Sequence, residues 1–177
     1  MWISEAQEST LVDLMDRGRW SQDLGRRTQH FGWRYNYSSG RVEHDDSIPE
    51  IPPHLIELGQ RLKSELALPR LPDQVIVNEY VVQGGVTQGI SAHRDHIRDF
   101  GPVVATLSLL ESWTMRFTRP GFDTVDALLE ARSLGVMTGE SRYDWNHAIP
   151  ARKYDGVGQM KRKRSRRLSI TFRVVEK

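Results

Sequence analysis

The period of the hydrophobic positions changes partway along this chain, and the change predicts the order of its elements. In residues 5–17, Leu11, Leu14 and Met15 fall at helical spacing and predict a short amphipathic helix. A second helix is predicted from Pro52–Pro53, where Leu55, Leu58, Leu62 and Leu66 recur at helical intervals, and it should end before Pro69. Between the two, residues 28–47 alternate Phe31, Trp33, Tyr35 and Tyr37 with other residues, the mark of a strand or hairpin showing aromatics on one face. Past Pro72 the pattern turns to short strands: 75–82, 103–110, 113–118, 133–138 and 168–175, all rich in β-branched and aromatic residues. His147 opens one more. Residues 124–131 fit either a helical turn or an extended arm. Helices first and many strands afterwards predict an α+β domain, a β-sandwich or jelly roll supported by helices.

A length of 177 residues is most simply one domain with a real core. With 38% hydrophobic and 27% charged residues, composition is that of a folded globular protein. No window resembles a membrane span, and the N-terminus lacks the basic start and apolar stretch of a secretory signal. The expectation is a cytoplasmic monomer without a membrane partner. Cysteine is absent, which removes disulfides, thiolate catalysis and cysteine-bound zinc. Net charge is only +2, yet 161–167, KRKRSRR, holds six basic residues and no acid. Such a run either grips phosphates or forms a solvated loop.

The chemistry is concentrated in His93 and Asp95, spaced His-x-Asp, and the distant His147. On an extended segment His93 and Asp95 emerge on one face. Two imidazoles and a carboxylate can hold one face of iron(II) and leave the other open, although zinc hydrolysis would use the same ligands. His96 should turn away from His93, and Asp99 and Asp144 are candidates to support the ligands. What favours iron is RLSITFR, 167–173: Arg167, Ser169, Thr171 and Arg173 share one strand face, while Leu168, Ile170 and Phe172 form the core side. Guanidinium groups on that face suit a dicarboxylate cosubstrate such as 2-oxoglutarate.

Several motifs now resemble one family. HRD at 93–95, SRYDWNHAIP at 141–150 and RRLSITFR at 166–173 resemble the AlkB family of iron(II)/2-oxoglutarate dioxygenases. VNEYVVQGG at 77–85, FGPVVATLSL at 100–109 and SLGVMTGESRYDW at 133–145 are similar to its barrel strands, so the likeness spans roughly 28–175 in order. The resemblance implies a double-stranded β-helix (jelly roll) with supporting N-terminal helices. Residues 1–27 would be a helical extension, 28–70 a substrate-lid region with a helix, and 72–177 the jelly-roll core. It implies His93, Asp95 and His147 as iron ligands and Arg167, helped by Tyr80, on the distal carboxylate of 2-oxoglutarate. Arg173 and Asn78 would lie nearer the metal.

The resemblance further implies an enzyme that uses Fe(II), O2 and 2-oxoglutarate to demethylate or hydroxylate a modified base in RNA or single-stranded DNA. Succinate and CO2 are released, and formaldehyde where a methyl group is removed. Trp33, Tyr35, Tyr37 and Arg142 would line the substrate site. Many DNA-repairing relatives carry a carboxylate where this chain has Ile97, a departure that bears on base recognition. The SLGVMTGESRYDWNH block looks closest to the branch that includes a tRNA wobble-uridine hydroxylase. Alternatives are an oxygenase of a protein side chain or small metabolite, and a non-catalytic nucleic-acid-binding module.

Overall fold

The computed structural model describes residues 1–22, 24–36, 38–83, 86–155 and 161–176. In chain order the elements are α1 (Glu5–Arg17), β1 (Thr28–Phe31), β2 (Arg34–Asn36), β3 (Arg41–Glu43), α2 (Pro53–Glu65) and β4 (Gln74–Tyr80). Next come β5 (Val82–Gln83), β6 (Val86–Thr87), β7 (Ile90–His93), β8 (Phe100–Leu109), β9 (Trp113–Thr118) and β10 (Val125–Leu129). The chain ends with β11 (Leu134–Met137), α3 (Gly139–Tyr143), β12 (Asn146–Ile149), β13 (Tyr154–Asp155), β14 (Arg162–Lys163) and β15 (Arg167–Val175).

Two antiparallel sheets face each other, ordered β1-β4-β15-β8-β11 and β10-β9-β12-β7, in the manner of a jelly roll. Every residue of β4 is buried, because this strand is covered on both sides. Its Val75 and Val77 join Leu107, Ile170 and Phe172 beneath Leu11 and Met15 of α1 and Leu55, Leu58 and Leu62 of α2. Each such side chain contributes about 1.5–3 kcal/mol of burial. Ile76, Asn78 and Tyr80 point the other way, into the space between the sheets. The expected split of β15 is present: Leu168, Ile170 and Phe172 lie in the helix-side core, and Arg167, Ser169, Thr171 and Arg173 line the interior.

The helices start for local reasons. Ser4 and Gln7 form a reciprocal capping box at α1, and Pro53 occupies the first turn of α2 after Pro52. Residues 125–129 settle as strand β10, paired along β9, so the ambiguous arm is extended. The expected strand 75–82 breaks after Tyr80, and Val82 begins a small hairpin instead. The aromatic stretch 28–47 is also divided. Phe31 belongs to the core on β1, which joins the main sheet, and only β2–β3 form a separate hairpin. Gly32 makes that division possible: its φ is +75°, and a Cβ there would sit 2.1 Å from the Asp73 carbonyl oxygen.

Candidate metal centre

The two histidines face each other across a strand pair. His93, the last residue of β7, is the register partner of His147 on β12, and their ring centroids are 4.3 Å apart. Opposed residues of an antiparallel ladder project from the same face, so the pairing converts a separation of more than fifty positions into contact. Gly89 permits the close approach, since a Cβ there would lie 2.4 Å from the Ile149 carbonyl oxygen. Asp95 stands just past the strand end, and one ligand atom from each of His93, Asp95 and His147 lies within 4.8 Å of the others. The His93 Nδ1 faces the Ser91 carbonyl at 2.8 Å. A carbonyl only accepts, so Nδ1 carries the proton and Nε2 keeps the lone pair for a metal. Burial, and then the neighbouring His93, lower the His147 imidazole to about 4, which keeps it neutral and ready to ligate.

Asp95 is fixed from two directions. Burial works to raise its carboxyl, but the Arg173 guanidinium and the two imidazoles bring it down to about 2. Arg173 donates to both carboxylate oxygens, and its Nη1 donates to Gln74 Oε1 at 3.0 Å. The backbone around Asp95 is held by Arg142, which is 2% exposed and donates to the carbonyls of Asp95, His96, Phe100 and Gly101. Arg142 therefore does not line a substrate site, as the sequence led us to expect; all its donor nitrogens serve the metal-bearing loop. Arg173 lies at the metal end of the interior, beside Asp95. Its guanidinium is committed to Asp95, whereas Arg167 stands six residues back along the same strand face.

Deeper between the sheets, Arg167 is wholly buried. Its Nη2 donates to Ser108 Oγ at 2.8 Å, while its Nε has no partner. No carboxylate pairs with it among the described residues. Burial lowers this guanidinium to about 10. Asn78, Tyr80, Ser169 and Thr171 line the same interior as Arg167 and the metal triad, and Thr106 and Thr171 hydroxyls meet at 3.1 Å. Arg167 stands over the Tyr80 ring at 5.4 Å, Tyr80 meets Trp113 at 5.7 Å, and Arg164 stands over Trp113 at 4.1 Å. A buried cation without a counter-charge at the end of a polar pocket is a seat for an anion.

At the mouth, a cleft of about 330 Å³ is lined by Tyr35, Arg26, His93, Asp95, Phe100 and Arg173 among others. Tyr35 packs against Phe100 with centroids 6.0 Å apart, and burial together with Asp95 pushes its phenol up. Trp33 turns elsewhere, edge-on to His44 at 5.5 Å, and Tyr37 lies outside the described residues. Ile97 is 48% exposed. Asp99 supports the lid rather than a ligand: its carboxylate accepts from Arg41 Nε and the Val42 N–H on β3. The ring of His96 sits against Asp99, and Asp144 lies 3.7 Å from Arg119. Arg26, which the sequence did not single out, donates to Asn78 Oδ1 at 2.8 Å. It arrives on a loop without periodicity, so no pattern announced it.

The donor set fits iron(II), with two imidazoles and one carboxylate on a single side. The family comparison decides between that and zinc: the 2OG-Fe(II) oxygenase superfamily matches residues 13–173. The chain belongs to this superfamily. Within it the chain is AlkB-like. It is 33% identical over 202 residues to the tRNA (carboxymethyluridine(34)-5-O)-methyltransferase ALKBH8 of Mus musculus, covering 99% of this chain but 29% of that protein. It is 34% identical over 181 residues to uncharacterized protein L905 of Acanthamoeba polyphaga mimivirus, covering 99% of this chain and 82% of the viral protein. The solved structure of OsALKBH1 superposes with a TM-score of 0.67 at 16% identity, covering 97% of this chain and 92% of that one. A Trichoplax adhaerens prolyl hydroxylase, solved with a hypoxia inducible factor peptide, gives a TM-score of 0.63 at 14% identity, covering 99% and 80%. At such identities the structures share the fold alone. No helix among the described residues is long and apolar enough to cross a membrane.

Proposed function

We propose that this chain is an iron(II)- and 2-oxoglutarate-dependent dioxygenase that demethylates or hydroxylates a modified base in RNA or single-stranded DNA. The observation that carries the cosubstrate is Arg167, a buried guanidinium without a counter-charge, in the same interior as the His93–Asp95–His147 cluster. In this reading His93 Nε2, His147 and Asp95 hold iron, and Arg167 with Tyr80 binds the distal carboxylate. Asn78, Ser169 and Thr171 line the path between. When bound, iron(II) with O2 and 2-oxoglutarate supplies the oxidising chemistry, releasing succinate and CO2. Arg173 keeps Asp95 ionised and oriented, and Arg142 keeps the loop that bears it in place. Tyr35 closes the mouth beside the metal, where its ring is placed to stack on an extracted base.

Nucleic acid as substrate is supported by the named relative, a tRNA-modifying enzyme, of which this chain spans 29%. A second reading, oxidation of a protein side chain or small metabolite, would use the same His93–Asp95–His147 cluster and Arg167 and differ only in what enters the cleft. Incubation with iron(II), 2-oxoglutarate and methylated or carboxymethylated RNA and DNA oligonucleotides, read by mass spectrometry, separates them. The expected result is a mass change of the oligonucleotide that disappears in His93→Ala. Succinate formation with no change in any oligonucleotide would overturn the nucleic-acid reading and leave the oxygenase one.

A further inference from the structure

The basic run 161–167 divides in the fold. Arg167 lies in the interior and Arg166 pairs with Asp16 and Glu79. Arg164 is 1% exposed and clasps the buried Asp155 through Nε and Nη2, while its Nη1 donates to the Pro150 carbonyl. These three are structural or belong to the pocket. What remains is the β13–β14 hairpin, where Arg162 and Lys163 on β14 and the adjoining Lys153 and Lys161 are all exposed. None of the four forms an ion pair with a carboxylate among the described residues, and the intervening 156–160, GVGQM, carry no charge. The single acid of the hairpin, Asp155, is engaged by Thr114, Arg152 and Arg164. Tyr154, 53% exposed, is the register partner of Lys163.

Four cations without carboxylate partners, on or next to two short strands, repel one another and suit an anionic partner. Regularly charged and flexible, a phosphodiester backbone matches them. Arg162 can fork onto one phosphate, the lysines act as point charges, and Tyr154 offers a stacking face. Arg164 anchors the root of the hairpin against Trp113, near the Arg167 end of β15 and away from the mouth that Arg173 lines.

We infer that the β13–β14 hairpin is a second nucleic-acid contact, which holds the backbone of a long substrate strand away from the reacting base. This rests on the nucleic-acid reading of the metal site. It is tested by fluorescence anisotropy of a 5-nucleotide and a 30-nucleotide single-stranded RNA over a range of salt, without turnover. The comparison is between wild type, Lys161→Gln/Arg162→Gln/Lys163→Gln, and a charge-matched control, Arg17→Gln/Arg19→Gln/Lys63→Gln. The hairpin variant should bind the 30-mer at least tenfold more weakly at about 0.1 M salt, with the log–log salt slope shallower by about 2. Its binding of the 5-mer and its 2-oxoglutarate turnover should match wild type, and the control should match wild type throughout. A steep wild-type slope that the hairpin variant retains, or an equal loss in the control, overturns the hairpin contact and leaves the substrate reading standing. No binding of either RNA by wild type removes both.

Discussion

Arg173 grips Asp95 through two parallel hydrogen bonds, Nη2 to Oδ1 at 2.9 Å and Nε to Oδ2 at 3.2 Å. The carboxylate that would bind iron is thus already ionised and aimed before any metal arrives. Arg173→Lys keeps the charge but loses the planar fork. We expect about a 10–100-fold loss of iron(II) affinity, measured by metal titration under anaerobic conditions. Unchanged affinity would show that Asp95 needs no such partner.

Arg167 leads to a prediction of opposite kind. Arg167→Met should raise the dissociation constant for 2-oxoglutarate, measured with manganese(II) in place of iron, by about 10–100-fold, the worth of a charge-assisted hydrogen bond. Metal affinity should hold. Because the native guanidinium is buried without a counter-charge, the ligand-free variant should melt no lower than wild type. A variant that loses stability together with cosubstrate binding would mean that Arg167 is a structural residue.

The difference between these two arginines marks where the sequence stopped being informative. Period-two alternation in 167–173 put both on the interior face, and that was right, because alternation is a local property of a strand. What Arg173 touches depends on the loop after His93, which leaves the strand and curls Asp95 back toward β15. Arg142 was misjudged for the same reason: a motif places it near the site, but only α3, a short helix with no hydrophobic signature, turns it inward beneath the loop. The helices, most strands and the metal triad were legible from periodicity and spacing. The partition of KRKRSRR was not, since it depends on Asp155, Asp16 and Glu79 arriving from three other elements.

Asp155 and Arg164 form a buried pair, 4% and 1% exposed at their side chains. Asp155→Asn leaves Arg164 without its partner and should lower stability by about 3 kcal/mol, read by urea denaturation. Burial works to raise the Asp155 carboxyl, but Thr114 and Arg164 hold it well below the usual carboxylate range. With the folded-state value depressed, the pair's contribution is complete above about pH 4 and is lost as pH falls further. Stability of wild type and variant should therefore converge in acid. A constant gap down to the lowest accessible pH would contradict the assignment.

The lid aromatics should not behave alike. Tyr35 lines the cleft and Trp33 does not. Tyr35→Ala is expected to raise KM for an oligonucleotide substrate about tenfold, consistent with the loss of one stacked base, and to leave uncoupled succinate formation near wild type. Trp33→Ala should leave both near wild type. Equal effects from the two would indicate that the hairpin acts through its fold rather than through one ring.

The loop between β7 and β8 has two attachments. Arg142 fastens its carbonyls to the barrel, and Asp99 fastens it to β3 of the lid. One short stretch of backbone therefore carries a metal ligand and the tether of the substrate cover. The two cannot diversify independently. In descent, or in an attempt to graft a new specificity, the heritable module is the lid hairpin together with residues 95–101, and a lid exchanged alone would inherit a tether cut for another cover.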